Sequence, residues 1–161
     1  MATLASAAEQ LEATRAELLS LLASLDEAAL DQPGRVDGWS IKNVLAHLAA
    51  WEEWVVQVLP QRMASGTTPD NFRERATNED RFNALEVAER AELTPGEQLM
   101  ELERVRAELL SYVRSLPAAE AQRRNPWPEW PGTLPEYLLE ALRDHEAEHL
   151  GTLRAALAAR E

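Results

Sequence analysis

The chain carries three histidines. His145 and His149 stand four residues apart, and His47 lies far upstream. Imidazole is the commonest side-chain metal ligand, and an i, i+4 pair on a helix points two rings at one spot. Three protein nitrogens with a fourth position left open are the pattern of a catalytic metal centre. The competing reading is a set of core histidines hydrogen-bonded to backbone or carboxylate groups. The i, i+4 pair together with a third histidine on a partner helix favours the metal, with His47, His145 and His149 as ligands.

Residues 145–149 also spell His-Glu-Ala-Glu-His, a formal match to the H-E-x-x-H hydrolase motif, in which Glu146 would be the general base. Such a site needs a further ligand downstream. The candidate there is Glu161 alone, and a helical wheel turns Glu146 away from the centre of the apolar stripe, so this is the weaker reading. Glu52 falls among Leu45, Leu48 and Val55 on a core-facing stripe, where a carboxylate is costly unless paired. It would orient a ligand histidine, act as a general base, or pair with an arginine. Asp144 reads as a group on the solvated flank. Among the five tryptophans, Trp51, Trp54, Trp127 and Trp130 are candidate walls of an apolar pocket, with packing or a dimer surface as the alternative. Trp39 reads as packing.

The elements that must position these groups are helical. Ala, Leu, Glu and Arg dominate and no segment alternates as a strand does. A first helix is expected from about Thr3 to Leu25, striped by Leu4, Leu11, Leu18, Leu22 and Leu25. A connection with Pro33, Gly34 and Gly38 follows. Ser40 caps a second helix lined by Ile41, Val44, Leu45, Leu48, Val55 and Leu59, which Pro60 should end or kink. A shorter helix, Glu79 to Glu92, reads as a lateral insertion. Capping boxes at Thr94–Glu97 and Thr133–Glu136 open two more long helices, reaching about Leu116 and Ala159. Between them lies a connection dense in Trp and Pro: Pro126, Trp127, Pro128, Trp130, Pro131. In the last helix Leu134, Leu138, Ala141, Leu142, Thr152 and Ala156 form a stripe that includes His145 and His149. Residues Ala16–Ser20 reappear as Ala107–Ser111, which is either a pseudo-repeat of two helix pairs or coincidence. Long connections do not fit the simplest up-down-up-down bundle and suggest that some sequential helices run parallel.

At 161 residues the size is that of a single domain, 1–161. The formal net charge of −12 argues against nucleic acid and anionic membranes as partners. Lys42 is the only lysine. With no cysteine, disulfides, thiolate-bound zinc and thiol nucleophiles are excluded, so any thiol chemistry needs an external thiol. Residues Met1 to Gln10 lack the pattern of a signal peptide, and no run of 18 apolar residues exists, so a cytoplasmic protein is expected.

The stretch Gly38-Trp39-Ser40-Ile41-Lys42-Asn43-Val44-Leu45-Ala46-His47-Leu48-Ala49-Ala50-Trp51-Glu52 resembles the second-helix signature of the DinB/YfiT-like superfamily. The His145/His149 pair resembles that family's second ligand motif. The first segment also resembles the N-terminal domain of mycothiol-dependent maleylpyruvate isomerase and the ClbS/DfsB-type proteins. The resemblance implies an all-α four-helix bundle, up-down-down-up, with long crossover connections and one short extra helix. It implies a divalent ion, zinc or nickel, on His47, His145 and His149, and a homodimer. Relatives include thiol transferases and isomerases, so a low-molecular-weight thiol is an expected co-substrate. The leading expectation is a metal-dependent transferase or hydrolase acting on a small molecule through a metal-activated thiol or water, with Glu52 as base or orienting group. The alternative is a non-catalytic binding or stress-response bundle with a structural or absent metal.

Overall fold

The computed structural model describes residues 2–70, 77–123, 127 and 130–159. Pro126, Pro128 and Glu161, singled out above, lie outside the described residues. The architecture is all-α. Helix α1 spans Leu4–Leu22 and a short α2 spans Glu27–Asp31. Helix α3 is Ile41–Ser65, α4 is Glu79–Glu89 and α5 is Pro95–Ser115. A 3-10 turn, Ala118–Gln122, follows. The final helix has three parts: α6 (Leu134–Leu138), a π-helical stretch (Leu139–Asp144) and α7 (His145–Ala158).

The starts of these helices follow their capping residues. The Asn43 amide donates to Ser40 Oγ at 3.1 Å. The Glu97 amide donates to Thr94 Oγ1 at 3.2 Å, and the Thr94 amide returns a bond to Glu97 Oε2 at 2.8 Å. The Thr133 amide donates to Glu136 Oε2 at 2.7 Å. Each such bond satisfies an amide that the first helical turn leaves unpaired.

Two expected boundaries move. Helix α1 stops at Leu22, and Leu25 packs from the connection instead. Asp26 then caps α2 through the Ala29 amide, 2.8 Å from Oδ1, a turn of helix within what the sequence presents as loop. Pro60 does not end α3, which continues to Ser65 and closes on Gly66 at φ 72°. Pro60 sits on the exposed side, where the loss of one amide donor costs least.

Two apolar clusters set the helix directions. One joins Leu4, Ala8 and Leu11 of α1 to Val55–Met63 of α3, Leu109–Val113 of α5 and Leu134–Leu142 of the final helix. The other joins Leu18 and Leu22 to Ile41–Ala49, Leu102, Leu150 and Leu153. The start of α1 therefore shares an end of the molecule with the start of the final helix and the finish of α3 and α5. Helix α1 and the final helix run one way, and α3 and α5 the other.

The π-helical stretch corrects the wheel drawn on the final helix. Its buried positions are Leu134, Pro135, Leu138, Leu142, Glu146, Leu150 and Leu153, which apart from Pro135 follow a near-constant step of four. A π turn is wider than an α turn, so every fourth residue keeps one heading. Glu146 therefore points into the core, not away from it, and His145 and His149 flank that face.

Candidate metal centre

Two helices bring the histidines together. His47 is on α3, and His145 and His149 start α7 immediately after the π turn. Nε2 of His47 lies 2.9 Å from Nε2 of His145, which lies 3.1 Å from Nε2 of His149. The three rings stand edge to face, with each pair of centroids 4.8 Å apart. Their ligating nitrogens all fall within 4.8 Å of one another.

The tautomer of His47 follows from its neighbours. The Trp51 indole Nε1–H donates to Asn83 Oδ1 at 2.8 Å. Indole nitrogen is a donor only, so the atom it meets must be the amide oxygen. The same oxygen lies 3.0 Å from His47 Nδ1, which must therefore carry the proton. The neutral ring then presents Nε2 as a bare lone pair. A ligand histidine typically has its second nitrogen held in this way. Asn83 stands on α4, so the lateral helix supplies the residue that orients the first ligand. Nothing local to His47 in the sequence signals it.

Burial keeps all three rings neutral. His47 falls to about 3, chiefly through desolvation and then through the neighbouring His145 and His149, against the opposing bond to Asn83. His145 falls to about 4 through desolvation and His149, opposed by Glu148 and Glu52. His149 is lowered by desolvation against Glu148. Metal binding needs unprotonated imidazole, which these values supply at neutral pH. Two of the three spacings, 2.9 and 3.1 Å, lie near the value of about 3.3 Å by which a tetrahedral ion with bonds of about 2.0–2.1 Å separates its nitrogens.

The cluster opens into a cavity of about 470 Å³ walled by Trp51, Trp54, Val55, Tyr137, Ala141 and Leu142, with Glu79, Asn83 and Glu148 also lining it. Of the four tryptophans proposed as walls, Trp51 and Trp54 line this space. Trp127 and Trp130 do not. Trp127 is buried and stacks on Tyr137 at 4.3 Å, while Trp130 meets the same ring edge-on at 6.0 Å. They back the wall that Tyr137 presents. Trp39 packs on His47 at 5.5 Å. Its place is set by a tight turn in which Asp37 and Gly38 both have positive φ and Val36 and Trp39 exchange backbone hydrogen bonds. A larger cavity of about 620 Å³ lies on the other side of Trp39 and Asn83. Its one lysine, Lys42, is engaged by Asp31 and by the carbonyls of Ala91 and Leu93.

Glu52 does not face the histidine nitrogens. Its carboxylate accepts from Arg15 Nη2 at 2.8 Å and from Arg106 Nε. Glu146 accepts from Arg15 Nε at 2.6 Å and from Arg106 Nη2 at 3.0 Å. All four residues are at most 5 % exposed. Of the expectations for Glu52, this is the arginine pairing, and it leaves no free oxygen for a general base. The same holds for Glu146, which removes the base that an H-E-x-x-H reading requires. The remaining Nη1 groups donate to backbone carbonyls, Arg15 to Leu102 at 2.7 Å and Arg106 to Leu11. Burial opposes the Arg106 charge, but Glu52 and Glu146 outweigh it and hold its pKa above the usual value. Asp144 is solvated and pairs with Arg143.

No curated protein shows significant sequence similarity to the chain. Solved structures share its fold, three of them as follows. An uncharacterised protein from Escherichia coli UTI89 superposes with a TM-score of 0.79 at 18 % identity, covering 99 % of this chain and 95 % of that one. The colibactin self-resistance protein ClbS, crystallised in complex with a dsDNA, gives 0.81 at 16 %, covering 98 % and 96 %. DfsB, described as a sibling lethal factor precursor, gives 0.78 at 13 %, covering 100 % and 98 %. The ClbS complex overturns the expectation that nucleic acid is excluded as a partner. Net charge averages over a whole surface, whereas a nucleic acid meets only the patch it touches. No described helix is long and apolar enough to cross a membrane. The model of the DinB superfamily matches residues 10–153, and the chain belongs to that superfamily.

Proposed function

We propose that His47, His145 and His149 bind one divalent ion, zinc or nickel, in an open site, and that the protein is a transferase or hydrolase acting on a small molecule. The observation that supports this reading is the convergence of three neutral Nε2 atoms at the wall of an aromatic-lined cavity. A bound ion there would lower the pKa of water or of an external thiol and so supply a nucleophile near neutral pH. Around it, Asn83 fixes the His47 tautomer, and Trp51, Trp54 and Tyr137 exclude water and present flat apolar faces. Glu148 and Glu79, not Glu52, are the carboxylates at the cavity placed to take up a proton.

A second reading draws its support from the comparisons, which favour it over catalysis. ClbS is described as a self-resistance protein and was crystallised with dsDNA. On that model this chain is a binding or stress-response bundle whose metal is structural or absent, and nucleic acid is a partner to be tested.

The deciding experiment is elemental analysis of untagged protein beside His47→Ala and His145→Ala. About one zinc or nickel per chain, lost in both variants, supports the first reading and justifies screens of thiol transfer and hydrolysis. No metal after reconstitution, together with salt-dependent dsDNA binding, overturns it in favour of the second.

A further inference from the structure

The four charges of Arg15, Glu52, Arg106 and Glu146 have an internal symmetry. Residues 11–20 and 102–111 are identical at eight of ten positions: Leu11/Leu102, Glu12/Glu103, and Arg15–Ser20 against Arg106–Ser111. The echo seen in the sequence thus extends to the arginines, and the structure gives it a purpose. Arg15 of α1 donates through Nη1 to the carbonyl of Leu102 on α5, and Arg106 of α5 donates through Nη1 to the carbonyl of Leu11 on α1. The two bonds exchange the two copies of the repeat. Each guanidinium then donates from its other two nitrogens, Nε and Nη2, to one oxygen of Glu52 and one of Glu146. Two positive and two negative groups close a ring with no net charge.

The ring joins the helices that carry the ligands. Glu52 is five residues after His47 on α3, and Glu146 lies between His145 and His149 on α7. Helix α3 packs chiefly on α5 and touches α7 little. Two carboxylates facing each other across that gap would repel without the arginines. We propose that Arg15 and Arg106 are positioning residues for the three-histidine site: by bridging Glu52 to Glu146 they hold His47 at a fixed spacing from His145 and His149. This inference builds on the metal reading above. Stability alone does not explain the ring, because buried ion pairs replaced together by apolar groups often leave a protein as stable or more so. A fork that must reach two carboxylates and a carbonyl instead fixes register, since a slip of α7 along α3 breaks it.

The test replaces the whole ring: Arg15→Met, Glu52→Leu, Arg106→Met and Glu146→Leu in one chain. Cobalt(II) is the probe, read by affinity and ligand-field spectrum, beside the melting temperature. The ¹H–¹⁵N imidazole spectrum of the metal-free protein is recorded in parallel. The expected result is a folded protein whose cobalt affinity falls about tenfold or more, with an altered ligand-field spectrum and loss of the ordered Nδ1–H signature of His47. A folded variant with wild-type affinity and imidazole signals overturns the proposal. If the fourfold variant does not fold, Arg15→Lys and Arg106→Lys decide, since each keeps the charge and loses the fork. The repeat predicts similar losses from both, and wild-type behaviour in both overturns the proposal. If the wild-type protein binds no cobalt, the metal reading fails by itself. The imidazole spectra of the metal-free proteins then decide positioning, shifted signals supporting it and unchanged ones refuting it.

Discussion

Two polar clusters of the interior lie side by side among the described residues, and they are built on opposite rules. In the arginine–glutamate ring each guanidinium donates to both carboxylates and to a backbone carbonyl, and the charges sum to zero. In the histidine cluster the groups are neutral, their nitrogens face one another, and the cavity lies alongside. A closed polar network fixes geometry and needs nothing from outside. Ring nitrogens that converge on one another beside a cavity can instead be joined by an ion from outside. The comparison separates scaffold from site even though Glu146 and His145 are neighbours in the chain.

The contrast can be broken most sharply at the ring. Arg106→Ala leaves two buried carboxylates with one partner, and chemical denaturation should show a loss of about 3–5 kcal/mol. At the histidines the ranking of effects reverses. His145→Ala should take the metal content of purified protein from about one ion per chain to near zero, while denaturation of the metal-free protein changes little. Asn83→Leu removes the acceptor on His47 Nδ1, and competition with a metal chelator should report affinity lower by about 10–100-fold. The smallest effect expected at the site is from Glu148→Gln, which should leave metal content intact and slow turnover of any substrate that needs a proton acceptor.

Acidity sharpens the same contrast. His47 and His145 stand at about 3 and about 4 in the folded protein against 6.5 when free. Between those values the unfolded chain binds more protons than the folded one. The contribution of these histidines to the stability of the metal-free protein should therefore be constant above pH 6.5, fall as the pH drops below it, and level off only below about 3. Urea titrations across pH 7 to 4 measure this directly, and His47→Gln should flatten the slope.

Much of the fold is legible in local sequence because its signals act over a few residues. Ser40, Thr94 and Thr133 begin helices where the capping pattern places them, and the leucine stripe of α1 is buried at Leu4, Leu11, Leu18 and Leu22. The exceptions are local rules overridden by context. Pro60 lies inside a helix, and the π turn re-aims Glu146 into the core. The histidines were legible as candidates because they are few and two share a helical spacing. Asn83 was not, since it reaches the site from α4 across a tertiary gap that no spacing in the chain encodes, and Glu148 and Tyr137 share the final helix with two of the ligands but are put at the cavity only by the fold. Trp127 and Trp130 show the converse: aromatic and close to the site in sequence terms, they back the cavity wall instead of lining it.

The sequence by itself determined which residue types were available: three imidazoles, no thiol, helices with their caps, and a repeated Leu-Glu-x-x-Arg-Ala-Glu-Leu-Leu-Ser segment. Only the tertiary structure decided what those residues meet. Glu52 and Glu146 could each have been a base; the arginines of the two repeat copies, arriving from α1 and α5, made them scaffold. The physical reason is that the role of an ionisable group is set by its partners and its burial, and both are properties of how helices pack, not of the order in which they are written.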